Sequence, residues 1–333
     1  MIKKNIALIY GGDSSEYEIS VKSGKNIAKH IDRERYEVVE VLMKGADWRV
    51  ICSENESDSY FIDKSDFSVV LKGGGWHPET RISFDLAFIM IHGTPGENGL
   101  LQSYFEMIGV KHLSSPAAIS AITFNKYACK CFLRDIGVKM AREIFLRKSD
   151  VYEVKNIVEK LSLPLFVKPN NGGSSFGITK VKKMEDLESA IASAFKEDDT
   201  ILIEEFIEGR EMTNGVYMYD GALVRLPVTE IIPNNEFFDY EAKYLGASQE
   251  ICPASIPNKL SDEIIDLSHK IYSYLGCKGV VRMDYIMRDE EIFFLEINTV
   301  PGMTEMSLVP QQVRTAGMTM KEFLNQLLSA DIS

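Results

Sequence analysis

Short apolar runs separated by amphipathic stretches fill the first third of the chain. Three of these runs have the length and alternation of strands, and the segments between them carry apolar residues at helical spacing. We expect strands at residues 6–10, 36–42 and 86–91, one helix that ends near residue 30 and another at 99–109. Strands that alternate with helices favour a parallel, Rossmann-like α/β sheet.

The pattern changes after Ser114-Ser115-Pro116, which offers a helix cap followed by a proline suited to a first helical turn. A second unit then has helices at 123–136, up to 161 and at 185–195, and strands at 143–146, 165–168 and 201–207. The remainder has strands at 216–219 and 222–229, a helix at 261–275, two strands around 288–291 and a terminal helix. We therefore expect three domains, 1–118, 119–212 and 213–333, of which the second is a small α+β unit.

One segment, residues 233–257, is polar and aromatic and has no regular pattern. It is long for a plain connection, and loops of this size are usually functional or disordered. We expect it to close over a site.

Charge and composition exclude several classes of protein. The 333 residues include 37 Lys plus Arg against 49 Asp plus Glu, a formal charge of −12, which disfavours nucleic acid and anionic membrane as main partners. No apolar run approaches the roughly 20 residues that span a bilayer, so we expect a cytoplasmic protein. Five scattered cysteines without a C-x-x-C pair indicate neither a disulfide framework nor a zinc site.

A glycine-rich loop, Lys168-Pro-Asn-Asn-Gly-Gly-Ser-Ser-Phe-Gly177, directly follows an apolar strand. Such a loop lets backbone N–H groups approach an anion closely, and the lysine at the strand end favours a nucleotide phosphate. It is not a Walker A sequence, and an ordinary turn between two strands is the alternative.

The segment that follows residue 201 ends in glutamates and apolar side chains. Glu204, Phe206 and Ile207 are suited to an adenine slot, and Glu211 is suited to ribose hydroxyls. A solvated acidic strand end is the more common fate of such residues, so this segment alone is weak evidence.

Two neighbouring strands carry the strongest local signal. Arg282 and Asp284 alternate onto one face of the first, and Glu296 and Asn298 lie two residues apart at the end of the second. Two carboxylates and an amide oxygen match the hard oxygen ligands of Mg²⁺. A structural salt bridge between Asp284 and Arg282 is the alternative.

The order and spacing of these blocks resemble the ATP-grasp ligases, and within them the D-alanine:D-alanine ligases, over nearly the whole chain. The blocks that carry the resemblance are residues 11–20, 91–99, the glycine loop, 240–244, 279–284 and 295–304. The resemblance implies a three-domain ATP-grasp fold that contains both α/β and α+β parts.

It also implies site roles. The implied nucleotide-binding residues are Lys126, Lys168 and Lys243 for the phosphates, Glu204, Phe206 and Ile207 for the adenine, and Glu211 for the ribose, with Ser175 and Glu205 also at the ATP. The implied ligands of two Mg²⁺ or Mn²⁺ ions are Asp284, Glu296 and Asn298. The implied amino-acid and catalytic residues are Glu16, His92, Ser174, Tyr244, Arg282, Gly302, Ser307 and Leu308, with Ser174, Tyr244 and Glu16 closing the long loop.

The implied reaction joins two D-alanines with ATP through a D-alanyl phosphate, for peptidoglycan precursors, in a homodimer. Formation of D-alanyl-D-lactate or D-alanyl-D-serine is the alternative within this group. Two other classes fit less well. The chain lacks the G-x-G-x-x-G motif that a nicotinamide dehydrogenase would have after its first strand. A non-catalytic amino-acid-binding protein would not need the acidic residues around Asp284.

Overall fold

The computed structural model describes residues 3–51, 60–71, 80–172, 177–233 and 248–332. Its N-terminal part runs β1 (Lys4–Gly11), α1 (Tyr17–His30), β2 (Tyr36–Lys44), β3 (Asp47–Ile51), β4 (Tyr60–Asp63), β5 (Ser68–Leu71), β6 (Thr80–Ile82), β7 (Leu86–Ile89), α2 (Leu100–Ile108) and β8 (His112–Leu113). One sheet has the order β3-β2-β1-β7-β8, with parallel pairing from β2 to β8. The expected Rossmann-like sheet is confirmed.

Strands β4, β5 and β6 form a separate antiparallel sheet. It adjoins the main sheet through an aromatic cluster in which Phe67 contacts Trp48, Phe84, Tyr104 and Phe105.

The central part contains α3 (Ala117–Phe124), α4 (Lys126–Arg134), β9 (Glu143–Arg147), α5 (Val154–Leu161), β10 (Leu165–Pro169), β11 (Thr179–Val181), a 3-10 turn (Met184–Asp186), α6 (Leu187–Glu197) and β12 (Thr200–Glu205). Its antiparallel sheet has the order β11-β10-β12-β9. The single helix expected at 123–136 was wrong, because extended Asn125 ends α3 and caps α4 by accepting a hydrogen bond from the Ala128 N–H.

The side-chain cap expected from Ser114-Ser115 was also wrong. The residue that precedes α3 is Pro116, and no side-chain hydrogen bond from it caps the first turn. The Glu106 carboxylate accepts from the Ala117 N–H instead, at 2.8 Å.

The C-terminal part contains β13 (Arg210–Val216), β14 (Met218–Tyr219), β15 (Ala222–Leu223), β16 (Thr229–Pro233), β17 (Ser248–Ile251), α7 (Asn258–Leu275), β18 (Val281–Arg288), β19 (Glu291–Asn298), α8 (Leu308–Thr315) and α9 (Met320–Ile332). An antiparallel sheet runs β17-β16-β13-β18-β19. The expected terminal helix is two helices, because Gly317 interrupts it at φ +81°.

The apolar core joins the two ends of the chain. Ile6 and Leu8 of β1 lie in one buried cluster with Phe323 and Leu327 of α9. This packing fixes the N-terminal sheet against the C-terminal part, so side chains separated by about two hundred positions can meet.

Within the described residues, no helix is long and apolar enough to cross a membrane. The division of the chain into three domains, after residues 118 and 212, stays a prediction.

Candidate functional site

The start of α4 is bound to the residues that lead into the glycine loop. The Lys126 N–H donates to the Asn170 carbonyl at 3.0 Å, and the Tyr127 N–H donates to Asn170 Oδ1 at 2.9 Å. The Lys126 ammonium donates to the Gly172 carbonyl at 2.6 Å. The structure therefore places the Lys126 ammonium at the start of the glycine loop.

Glu204, at the end of β12, lies between two lysines. Lys168 Nζ on β10 is 2.5 Å from Glu204 Oε2, and Lys130 Nζ on α4 bonds Glu204 Oε1. All three side chains are at most 7% exposed. Burial alone would raise the pKa of Glu204, but the two ammonium charges outweigh it and lower the pKa to about 2. The carboxylate is therefore ionised at neutral pH.

These charged groups border a cavity of about 400 Å³. Its apolar walls include Phe166, Ile178, Phe206, Ile231 and Phe293. A slot of this size with a few polar groups at one edge fits a purine base.

Glu205 and Glu211, the two other glutamates predicted to bind the nucleotide, differ in their surroundings. Glu205 accepts from both the Nε and the backbone N–H of Arg142, at 2.7 and 2.8 Å, so its carboxylate is committed to that arginine. Glu205, Ile207 and Glu211 all line the cavity, and Glu211 does so from β13. Of the predicted nucleotide residues, Ser175 and Lys243 lie outside the described residues.

Strands β18 and β19 bring the predicted metal ligands together. Asp284 lies directly opposite Glu296, and Arg282 lies opposite Asn298, so the four side chains share one face of the sheet. Leu295 has no opposite partner, and this β-bulge is of the kind found beside active sites.

The Asp284 carboxylate is the centre of this group. Arg282 donates to both of its oxygens, Nε to Oδ1 at 2.9 Å and Nη2 to Oδ2 at 2.8 Å. Thr213 Oγ1 donates to Oδ1 at 2.6 Å, and Asn298 Nδ2 donates to Oδ2 at 3.2 Å. The salt bridge that was the alternative interpretation is present, in the same cluster as the predicted ligands.

The donor set suits a hard cation. Among the described residues no group of three His, Cys, Asp or Glu side chains forms a metal cluster. Two carboxylates with an amide oxygen nevertheless match Mg²⁺ or Mn²⁺, which use few protein ligands and complete their shell with water and phosphate oxygens. The residues present therefore fit such an ion.

His92 connects the N-terminal and C-terminal parts. Its Nδ1 lies 2.8 Å from the Val300 carbonyl, which can only accept, so Nδ1 carries the proton. Its Nε2 then accepts from Ser23 Oγ at 3.1 Å, and Ser23 Oγ accepts from the Met303 N–H at 3.1 Å. Burial lowers the pKa of His92 and keeps the ring neutral. Both ring nitrogens thus hold the turn at residues 300–303.

Glu97 lies at the site but is not among the residues predicted from the sequence. One oxygen accepts from the Gly93 N–H at 2.7 Å and the other from the Val300 N–H at 3.2 Å. Burial, together with the charge of Glu16, raises the pKa of Glu97 to about 8. The only signal in the sequence was its place in the Gly96-Glu97-Asn98-Gly99 block.

The remaining predicted residues surround this turn. Glu16 is 7% exposed at the start of α1, and its N–H donates to Ser14 Oγ at 3.2 Å. Gly302 approaches Ser307 so closely that a Cβ there would lie 2.9 Å from Ser307 Oγ. Ser307 precedes α8, whose first residue, Leu308, is buried. Ser174 and Tyr244 lie outside the described residues, so their contacts with Glu16 stay a prediction.

Comparison with known proteins gives one consistent family. The family model for the D-ala D-ala ligase N-terminus matches residues 5–115, and that for the C-terminus matches residues 132–329. A D-alanine--D-alanine ligase from Parabacteroides distasonis is 46% identical over 99% of this chain and 98% of its own length. Another from Phocaeicola vulgatus is 44% identical over 98% and 99%.

Solved structures of ligases with similar names superimpose on nearly the whole chain. A D-alanyl-alanine synthetase A from Vibrio cholerae superimposes with a TM-score of 0.86 at 26% identity, over 100% of this chain and 99% of that one. The VanG D-Ala:D-Ser ligase from Enterococcus faecalis gives 0.85 at 29% identity, over 98% and 99%. A D-alanine--D-alanine ligase from Bacillus anthracis complexed with ATP gives 0.77 at 26%, over 99% and 97%.

Proposed function

The chain belongs to the D-alanine–D-alanine ligase family, an ATP-grasp family, and we propose how its residues divide the work of joining two D-alanines with ATP. ATP would occupy the 400 Å³ cavity, with the adenine amino group at Glu204 and the ribose at Glu211. The ionised state of Glu204 supports this placement, because a carboxylate accepts what an amino group donates.

The phosphates would lie toward the glycine loop, between Lys126 and Lys168. Both lysines border the cavity, and Lys126 already contacts the loop. Ser175 and Lys243 are expected to add contacts to the phosphates. Asp284, Glu296 and Asn298 would hold two Mg²⁺ or Mn²⁺ ions, which supply positive charge at the phosphates when bound.

The first D-alanine would place its ammonium at Glu16 and its carboxylate near His92. A carboxylate oxygen then attacks the γ-phosphorus, ADP leaves, and a D-alanyl phosphate forms. Both reactants are anions, so Lys168, Lys243 and Arg282 offset their repulsion and the charge that develops in transfer.

The second D-alanine would lie at Ser307 and Leu308. Its amine, after losing a proton, attacks the acyl carbon and phosphate leaves. The oxyanion of the tetrahedral intermediate would accept from Arg282 and from the Gly302 N–H. The expected loop at 233–257 includes β17, so the closing segment is narrowed to the residues between β16 and β17. Ser174, Tyr244 and Glu16 are expected to hold that segment over the site, because water would hydrolyse the acylphosphate.

Three further expectations complete the proposal. We expect the enzyme to supply peptidoglycan precursors in the cytoplasm and to act as a homodimer. We also expect partners that are small molecules, with no nucleic acid and no membrane, in keeping with the charge of −12.

One observation carries the proposal: the Arg282–Asp284 pair, with Asn298 and Glu296, lies on the sheet face beside the nucleotide cavity. The test is product analysis by mass spectrometry, with ATP, Mg²⁺ and equal D-alanine, D-lactate and D-serine at pH 7. D-alanyl-D-alanine should dominate, and L-alanine should support no phosphate release. A dominant depsipeptide or D-alanyl-D-serine would replace the assigned second substrate.

A further inference from the structure

Lys130 is a buried cation with no role in the steps above. It lies on α4, one helical turn beyond Lys126, and its side chain is 2% exposed. Lysines are almost never buried to this degree unless paired. Its ammonium bonds Glu204 Oε1 and lies 3.4 Å from the Ala141 carbonyl and 3.6 Å from Glu143 Oε2. The ammonium is therefore surrounded by acceptors.

The charges around Lys130 show which carboxylate depends on it. Glu143, on β9, also pairs with Arg134, so it keeps a cation without Lys130. Glu204 has Lys130 on one oxygen and Lys168 on the other. In the proposed function Lys168 also serves the phosphates of the nucleotide, which leaves Lys130 as the cation that serves Glu204 alone among the described residues. A buried carboxylate without a cation avoids the cost of its charge by taking up a proton.

We propose that Lys130 is a positioning residue that keeps the Glu204 carboxylate ionised and aimed at the base, so that the pocket selects 6-amino over 6-oxo purine nucleotides. This inference rests on the proposed function, in which Glu204 meets the adenine amino group. An ionised carboxylate only accepts hydrogen bonds, so it pairs with the amino group of adenine and faces the carbonyl of hypoxanthine as a second acceptor. A protonated carboxyl can donate to that carbonyl, so the discrimination weakens.

The experiment compares ATP with inosine triphosphate, in which a 6-oxo group replaces the 6-amino group and N1 carries a hydrogen. We would measure kcat and KM for both nucleotides, with saturating D-alanine and Mg²⁺, in the full-length enzyme and in Lys130→Met, Lys130→Gln and Lys130→Arg. Lys148→Met is the matched control, because Lys148 is 61% exposed and contacts the exposed Asp199 carboxylate and the Phe195 carbonyl. Thermal unfolding would report whether each variant is folded.

In the two neutral variants the ATP to inosine triphosphate ratio of kcat/KM should fall about tenfold, mainly through a higher KM for ATP. Lys130→Arg should recover most of the ratio, and Lys148→Met should leave it unchanged. A ratio within twofold of the unmodified enzyme in a folded neutral variant would overturn the inference. Failure of both neutral variants to fold while Lys130→Arg folds would assign Lys130 to stability alone and also overturn it.

Failure of the proposed function would look different. An unmodified enzyme that forms no D-alanine dipeptide with ATP, or that uses both nucleotides equally, would contradict the substrate or the adenine placement before any variant is compared. The Lys130 inference fails only in the variants, against an unmodified enzyme that prefers ATP.

Discussion

Arg282→Lys separates the structural role of the Arg282 guanidinium from its proposed catalytic one. The guanidinium spans both Asp284 oxygens, at 2.9 and 2.8 Å, with the arginine 13% and the aspartate 3% exposed. A lysine keeps the positive charge, but its single ammonium group cannot span both carboxylate oxygens, so one charge-assisted hydrogen bond is lost. The expected cost in folding free energy is about 1.5 to 3 kcal/mol.

The expected cost in rate is larger. If Arg282 also donates to the oxyanion, loss of the fork should lower kcat by about 10² to 10³. Arg225→Lys is the control. Arg225 also donates to two carboxylate oxygens, Nη1 to Asp266 Oδ1 at 2.6 Å and Nη2 to Asp262 Oδ1 at 2.7 Å, and it does not line the nucleotide cavity. Because Arg225 is 46% exposed, its variant should lose less stability, and kcat should stay within about threefold.

The assay is steady-state phosphate release with saturating ATP and D-alanine, alongside urea unfolding of both variants. An Arg282→Lys enzyme with kcat within about threefold of the unmodified one would refute the catalytic role. Equal losses of kcat in both variants would show that the loss is not specific to Arg282.

Three further outcomes are expected. Glu296→Gln should abolish turnover, because in the proposed function the Glu296 charge holds a metal ion; near-normal turnover at low Mg²⁺ would contradict the metal site. Lys168→Ala should weaken the binding of ATP, measured by calorimetric titration, far more than the binding of D-alanine. An unchanged ATP affinity would count against the phosphate role of Lys168. Glu97→Gln should flatten the pH dependence of stability: the folded pKa of Glu97 is raised to about 8, so the folded state holds a proton that the unfolded state loses near pH 4.5, and stability falls as pH rises between these values. Thermal midpoints from pH 5 to 8.5 should fall more steeply in the unmodified protein than in the variant, and parallel curves would show that Glu97 does not titrate there.

Several local features of this protein could be predicted from the sequence. The hairpin of β18 and β19 needs only two apolar strands and a short turn, so Asp284, Glu296 and Asn298 were expected together, and they are. The parallel N-terminal sheet likewise followed from the alternation of strands and helices. In both cases the period of the apolar residues fixes which side chains share a face, and that period is written in neighbouring positions.

The tertiary structure alone decided contacts between distant segments. Glu97 meets Val300 across 203 positions, and Lys130 meets Glu204 across 74. In the sequence a buried lysine and a solvated one look alike, and so do a proton-holding glutamate and an ionised one. Burial and the charge of non-local neighbours set these states, and both exist only after β1 packs against α9 and α4 packs against the central sheet.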